Sequence, residues 1–353
     1  MKIIKYKIEK GENLRSIAEK FNMDVEALKK FHNSNSGFSS MIFSDKLPIH
    51  LDTIFIKQNT FEEALIKKGN MESLNFEEVV RYRCEQLNIS RVNNEIITLS
   101  ANTFHEFLVK KAKNTSIFNV EITDFGFSVE PAVYESGFLF AQKLEKLKLP
   151  ITFNISEEAF MKEIFNYDQI KNRWKKFRDF ELQNTELYKQ LISQAPKQAE
   201  DIIATGDKEF LNKENLGKMM DKNLFFHLFM KSFLGDRLKN YQLQQFSQIF
   251  PNIDLTTDVV KSLVREDDRS ATYRLVGTLN RENLSEETLK NFYDTIYKSS
   301  LRFNYTTFDF IYRITYTIDK ETELIQDGKA SIAEKIKNNF EVITEYNIKK
   351  VEL

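Results

Sequence analysis

"FDFIYRITYTID", Phe308 to Asp319, decides how most of this chain is read. Phe308, Phe310, Tyr312, Ile314, Tyr316 and Ile318 alternate with Asp309, Ile311, Arg313, Thr315 and Thr317. Successive side chains of a strand point to opposite faces, so this period of two predicts a strand with one apolar face. Working outward, the same period recurs in "VVRYRCEQLNI", where Val80, Tyr82 and Cys84 alternate with Arg81, Arg83 and Glu85. It recurs again in "EIITLS", "FNVEITDFGFSV", "LPITFNIS", "ATYRLVGTLN" and "FEVITEYNIKKV". Asn93–Asn94 predicts a turn between the first two of these strands, and Gly126 a bulge or bend. From Ser156 the period lengthens: Ile170, Trp174 and Phe177 fall at helical spacing, with Asp168 as a cap. Helical patterning continues through "TELYKQLISQAP", "LGKMMDKNLFFHLFMKSFL" and "YQLQQFSQIF". Strands at both ends with helices between predict an α+β domain over 81–353. Within it, 81–155 is expected to be strand-rich, 156–265 helical and 266–353 strand-rich, giving an antiparallel sheet with an inserted helical segment.

Composition bounds the function classes. The chain has 353 residues, long enough for two or three domains, with 41% hydrophobic and 29% charged residues. Its 31 Phe and 13 Tyr against one Trp supply large burial area per residue. Ten Gly and five Pro argue against long disordered linkers. Fifty-one basic residues nearly cancel 52 acidic ones, so no overall field draws the protein to nucleic acid or to an anionic membrane. Cys84 is the only cysteine, which excludes an intrachain disulfide. "MKIIKYKIEKGENL" lacks the apolar core of a secretory signal, which predicts a chain that is cytoplasmic as synthesised. No membrane span is expected either, because no apolar run approaches the required length.

The opening of the chain has its own organisation. Ile4, Tyr6 and Ile8 alternate with Lys5, Lys7 and Glu9, and Gly11 then permits a tight turn. Asn13 caps a helix carrying Leu14, Ile17, Ala18 and Phe21, and Asp24 caps a second carrying Leu28 and Phe31. "MIFSDKLPIHL" returns to extended structure with Leu47 and Ile49 facing inward, so the order is βααβ. Residues 57–80 read as a connector. With Tyr6, Ile8, Gly11, Leu14, Ile17, Ala18, Leu28, Asn33, Ile42, Asp45, Leu47, Pro48 and Ile49 in place, residues 1–56 resemble the LysM family. That resemblance implies a small βααβ module binding glycans that contain N-acetylglucosamine, or docking to protein in phage-tail-like machines. The implied groove lies between Gly11, Glu12 and Asn13 on one side and the loop Gly37–Phe43 on the other. Phe38 and Met41 would floor it, while Ile42 and Phe43 are assigned to the small core. Two positions depart from the family: Glu12-Asn13 replaces Asp-Thr, and Ser44-Asp45 stands where a glycine is usual.

The remainder shows little chemistry. His105-Glu106 lacks a second histidine at position 109, which is Val. The four histidines His32, His50, His105 and His227 are not closely spaced, so neither metal nor cofactor is expected. Adjacent acids occur at Glu77–Glu78, Glu157–Glu158 and Asp267–Asp268, but such pairs are generally solvated surface. Trp174 reads as a core anchor, Cys84 as buried and inert, and the arginines of "RYR" (81–83) as a wet strand face. The expectation is therefore a non-enzymatic binding or scaffold protein. Its LysM-like module would dock to protein or glycan, in a contractile (phage-tail-like or type VI-like) injection apparatus, particle-associated or exported by a non-Sec route. The alternatives are a peptidoglycan-targeted hydrolase or injected toxin, and an apolar-ligand carrier. In the carrier, the Phe/Tyr face of 308–318 lines a curved sheet under a lid of the inserted helices.

Overall fold

The computed structural model describes residues 3–48, 50–57, 60, 76–93, 95–113, 115–250, 253–282 and 284–352. The chain divides into two compact units, Met1–Val79 with Lys110–Phe118, and Val80–Val109 with Asn119–Leu353. In the first, strand β1 (Ile3–Lys7), helices α1 (Leu14–Lys20) and α2 (Val25–Asn35) and strand β2 (Thr53–Lys57) follow in βααβ order. The strands pair antiparallel, with Ile4 opposite Ile56 and Tyr6 opposite Ile54. Leu14, Ile17, Leu28, Ile42, Ile54 and Ile56 form the core, and Tyr6, Ile8 and Leu47 pack on it. Asn13 and Asp24 cap the two helices as expected. The closing strand comes later than predicted. Ser44–Lys46 bend, and the alternating "TIFIK" supplies β2 instead. Ile49 lies outside the described residues, as does most of the expected connector; Phe76–Val80 already belong to the next strand.

The second architecture is one sheet of eleven strands, ordered β7-β6-β5-β4-β3-β13-β12-β11-β10-β9-β8. The strands are β3 (Phe76–Val92), β4 (Ile96–Ala112), β5 (Ile117–Glu130), β6 (Ile151–Ile155), β7 (Met161–Ile164) and β8 (Tyr241–Phe246). They continue as β9 (Asp254–Glu266), β10 (Ser270–Leu279), β11 (Phe308–Asp319), β12 (Ile325–Ile336) and β13 (Phe340–Val351). Pairing is antiparallel from β8 through β9, β10, β11, β12 and β13 to β3, and between β6 and β7. Helices α3 (Glu135–Lys148), α4 (Tyr167–Lys176), α5 (Glu186–Gln194), α6 (Pro196–Phe210), α7 (Lys213–Lys222) and α8 (Leu224–Leu234) precede β8. Helices α9 (Glu286–Ile296) and α10 (Lys298–Leu301) link β10 to β11. The α+β fold with a helical insertion is as predicted.

One helix explains the shape of the sheet. Every residue of α8 from Phe225 to Leu234 is buried. A helix apolar on all sides needs partners on all sides. Phe226 meets Phe153 of β6, Phe225 stacks on Phe107 of β4 at 3.9 Å, and Phe225 and Phe229 both meet Tyr82 of β3. His227 meets Tyr312 of β11 and Tyr241 of β8, while Leu228 faces Gly328 of β12. A flat sheet of this size would measure about 48 Å between its outer strands at ~4.8 Å per interval. A helix with side chains is only about 10–12 Å thick. Strands β6, β4, β3, β12, β11 and β8 can reach α8 together only because the sheet curls around it.

Several local assignments are corrected. "YQLQQF" is strand β8, although glutamine favours helix and the run was expected to be helical; its pairing to β9, with Leu243 opposite Thr257, overrides propensity. Strand β9 extends the sheet into the same expected helical region, β7 occupies part of it, and helix α3 interrupts the strand-rich stretch. Trp174 is a fully buried anchor, stacked on Phe210 at 5.0 Å with its Nε1 donating to the Asp207 carboxylate at 2.8 Å. Gly206 makes room for it, since a Cβ there would lie 2.2 Å from the indole ring. We predict that Gly206→Ala lowers stability by roughly 1–3 kcal/mol despite its gain in helix propensity. Gly217→Ala, whose Cβ meets only the Met161 carbonyl at 3.9 Å, should be neutral or slightly stabilising. Urea unfolding followed by the fluorescence of the single tryptophan tests both.

Candidate functional site

The residues singled out at the amino terminus divide into two groups. Gly11 holds φ at +91°, a conformation that favours glycine, and so makes the turn after β1. Glu12 points into its own module. Its carboxylate accepts from Tyr6 Oη at 2.8 Å and from the Glu9 N–H at 2.8 Å, and pairs with Lys20 Nζ at 2.9 Å. Burial works to raise its pKa, but the Glu9 N–H, Lys20 and Tyr6 together hold it below the usual carboxylate range. Burial also pushes the Tyr6 hydroxyl up to about 12, so it stays protonated as a donor. Asn13 Oδ1 accepts the Ser16 N–H at 2.9 Å while Ser16 Oγ accepts the Asn13 N–H at 2.8 Å, a reciprocal helix cap. Glu12 and Asn13 therefore hold the turn together.

The loop Gly37–Phe43 is different. It is pinned from beneath by α2: Asn33 accepts from the Ile42 N–H at 2.8 Å and donates to the Ile42 carbonyl at 2.9 Å. His32 Nδ1 accepts the Phe55 N–H at 3.1 Å, which leaves Nε2 to donate to the Ser40 carbonyl at 2.8 Å. Ile42 is core, as assigned, and Met41 is half-buried. Phe43 is not core: it is 73% exposed, and Phe38 is 80% exposed, with ring centroids 5.9 Å apart. The two rings stand in solvent on a firmly anchored backbone.

A second site lies in the larger unit, built by parts of the chain far apart in sequence. Strand β7, helix α7, the start of α8 and edge strand β8 enclose a cleft of about 820 Å³. Phe160, Met161, Ile164 and Leu243 give it an apolar lining. A smaller lobe of about 420 Å³ shares Asp221, Lys222, His227 and Leu243 with it. Asp221 accepts the Met161 N–H at 3.1 Å, tying α7 to β7. Burial pushes its carboxyl up to about 6, against the pull of that N–H and of Lys231. His227 Nε2 lies 2.7 Å from Tyr312 Oη and 3.3 Å from Tyr241 Oη. Burial, aided by the charge of Lys231, pushes its pKa down to about 3, so the ring is neutral. Lys231 Nζ donates to the Ala159 and Glu158 carbonyls at 3.1 and 3.3 Å and sits over Phe160 and Tyr241. Burial lowers its pKa to about 8.

These polar groups are largely engaged in holding the wall. His227 is spent on the two tyrosines and Lys231 on the turn before β7. What the cleft offers a ligand is an apolar surface ringed by charge. At its mouth Lys213 pairs with Glu163, Lys218 pairs with Glu214 at 2.6 Å, and Lys222 Nζ lies 3.5 Å from the centre of the Phe246 ring. None of these residues stood out as a site in the sequence. The available signal was His227 and Lys231, one turn apart inside "LFFHLFMKSFL", because polar residues on a helix without a polar face require buried partners.

The other sequence candidates have ordinary roles. Arg83 pairs with Glu106 at 2.7 Å across strands β3 and β4. Asp267 accepts from the Arg269 and Ser270 N–H groups and closes the β9–β10 turn. Glu158 lends its carbonyl to Lys231 in the β6–β7 turn, and the side chains of Glu77 and Glu78 lie outside the described residues. Cys84 is buried and its thiol is pushed up to about 12, which makes it inert. No group of three or more metal-ligating side chains occurs among the described residues. No helix among them is long and apolar enough to cross a membrane.

Asp221 makes a pH prediction. Its folded pKa is raised, so between the unfolded value of 3.8 and about 6 the native state binds more protons than the unfolded state. Stability contributed here is therefore lost as pH rises through that window. Asp221→Asn keeps an acceptor for the Met161 N–H and removes the charge. Its stability relative to the parent should rise by roughly 1–3 kcal/mol between pH 4 and pH 7, measured by urea unfolding at both.

No family model and no curated protein matches the chain. Among solved structures, one titled "Lipid-protein interactions in lipovitellin" is similar at 11% identity and a TM-score of 0.39. The similarity covers 79% of this chain and 26% of that one, so the chain spans about a quarter of its length.

Proposed function

We propose that this is a binding protein whose larger unit holds the apolar body of a ligand in the cleft between β7, α7 and β8. The observation that carries the reading is the cleft itself. At about 820 Å³ it falls within the range of small-molecule sites, roughly 300–1,000 Å³, and it combines an apolar lining with a few polar groups of displaced pKa. The ligand space differs from the one anticipated for a carrier. The Phe/Tyr face of β11 meets α8 at Tyr312, through His227, and the free volume runs from the edge strands to Tyr312 by way of the smaller lobe. Binding is tested with Nile red, a neutral dye that brightens in apolar surroundings. The protein should bind it saturably with one-to-one stoichiometry, and Leu243→Glu, which places a charge on the lining, should weaken binding at least tenfold. Absence of saturable binding, or binding indifferent to Leu243→Glu, would contradict the proposal.

The amino-terminal unit fits a LysM-like docking module, and the exposed Phe38–Phe43 pair favours this second surface. Two rings in solvent on a backbone fixed by His32 and Asn33 suit either a sugar acetamide or an apolar patch on a protein. A place in a contractile injection assembly is the protein-docking form of this reading; a hydrolase or toxin targeted by the module is its enzymatic form. Adding chitin oligosaccharide while recording amide shifts discriminates the ligand. Shifts concentrated in Gly37–Phe43 identify glycan, and none at millimolar sugar leaves protein docking as the better account.

A further inference from the structure

The charges around the cleft do more than keep it soluble. Lys162, Lys213, Lys218 and Lys222 line it against Glu163, Glu214 and Asp221, and the buried ammonium of Lys231 stands behind Asp221. Two of the lysines are neutralised by neighbours, Lys213 by Glu163 and Lys218 by Glu214. Asp221 is directed to the Met161 N–H. Lys222 differs. Lys162, like it, has no carboxylate within ion-pair distance among the described residues, but Lys222 borders both lobes of the cleft, with its ammonium on the Phe246 ring and Asp254 acting on it from farther away. An ammonium over an aromatic face is only weakly compensated, so it gains from an anion presented on its open side. A second fact concerns the lining below it. Phe160 and Phe246 are both large apolar side chains left substantially exposed, one at each lobe, with Leu243 common to the two. Apolar surface thus leads away from the cation in both lobes.

We infer that the cleft takes a free single-chain anionic amphiphile, with its acidic head on Lys222 and its hydrocarbon along Phe160, Met161, Ile164 and Leu243. The inference rests on the cleft-binding proposal above and specifies its ligand. Each methylene added to the chain should raise affinity about fourfold, the equivalent of ~0.8 kcal/mol, until the chain outgrows the cleft.

The test uses the full chain and displacement of Nile red by laurate, dodecanol and dodecyltrimethylammonium, each below its micellar concentration. Laurate should bind at least tenfold tighter than dodecanol, and the cationic amphiphile should bind weakest. Lys222→Met, which keeps the apolar stem, should bring laurate down to the level of dodecanol and leave dodecanol unchanged. Lys222→Arg should restore the preference. Equal affinities for laurate and dodecanol, or equal losses for both in Lys222→Met, would overturn the anionic-head assignment while leaving an apolar site in place. Binding of neither Nile red nor any amphiphile would remove the cleft proposal together with the inference. Phosphatidylglycerol vesicles form the last arm. Sedimentation with them that depends on Lys222, without binding of monomeric laurate, would overturn the free amphiphile in favour of a membrane headgroup.

Discussion

The fold of the larger unit depends on burying one helix. Helix α8 has no solvent face, and five of its eleven residues are Phe or Met. At roughly 1.5–3 kcal/mol for each large apolar side chain removed from water, no arrangement that left this helix on the surface would compete. The eleven-stranded sheet provides the enclosure by curling, and β6, β4, β3, β12, β11 and β8 contribute rings or small residues according to where the helix comes close. Gly328 shows how tight the fit is. A Cβ there would sit 3.2 Å from Leu228 and 3.1 Å from Ile348. The polar members of α8 obey the same constraint, because a buried donor without a partner costs about 1–3 kcal/mol. His227 is met by tyrosine hydroxyls, Lys231 by two backbone carbonyls and Ser232 by the Phe229 carbonyl at 2.9 Å.

Enclosing α8 also locates the cleft. Helix α7 leads directly into α8, and the turn between them carries Asn223, which caps α8 by accepting the Phe225 N–H at 3.0 Å. Helix α7 consequently lies against β7, where Asp221 accepts the Met161 N–H. Strand β8 has a single neighbour, β9, and so forms one border of the sheet, with β7 forming the other. Both borders line the same cleft. The apolar space proposed for a ligand is therefore a by-product of how a large antiparallel sheet finishes its wrap around one helix.

Alternation made the sheet legible in the sequence wherever one face was apolar. Strand β11 buries each of Phe308, Phe310, Tyr312, Ile314, Tyr316 and Ile318, and β3 buries Val80, Tyr82 and Cys84. Strand β12 was not legible, because the alternate positions it buries, Gly328, Ala330, Ile332, Glu334 and Ile336, include a glycine, an alanine and a glutamate, so burial alternates where hydrophobicity does not. Strand β8 was misread because its glutamines fit a helix locally, and only pairing to β9 makes it extended. At the amino terminus the sequence pattern located the turns but not their use. Glu12 and Asn13, read as ligand contacts, also bond Tyr6, Lys20 and Ser16 within the module, whereas Phe43, read as core, is exposed. The cleft was invisible for a topological reason. Its residues come from around positions 161, 221 and 243, and nothing local to any of them signals the others.

Helix α8 is part of the core and not a lid over an apolar chamber. Hydrogen exchange on the ligand-free full chain tests this most directly. Amides of Phe225–Leu234 should exchange as slowly as those of β11 and β12, through unfolding of the whole unit. Exchange as fast as in helix α5, which has no buried residue, would contradict it and show that the helix opens independently of the sheet.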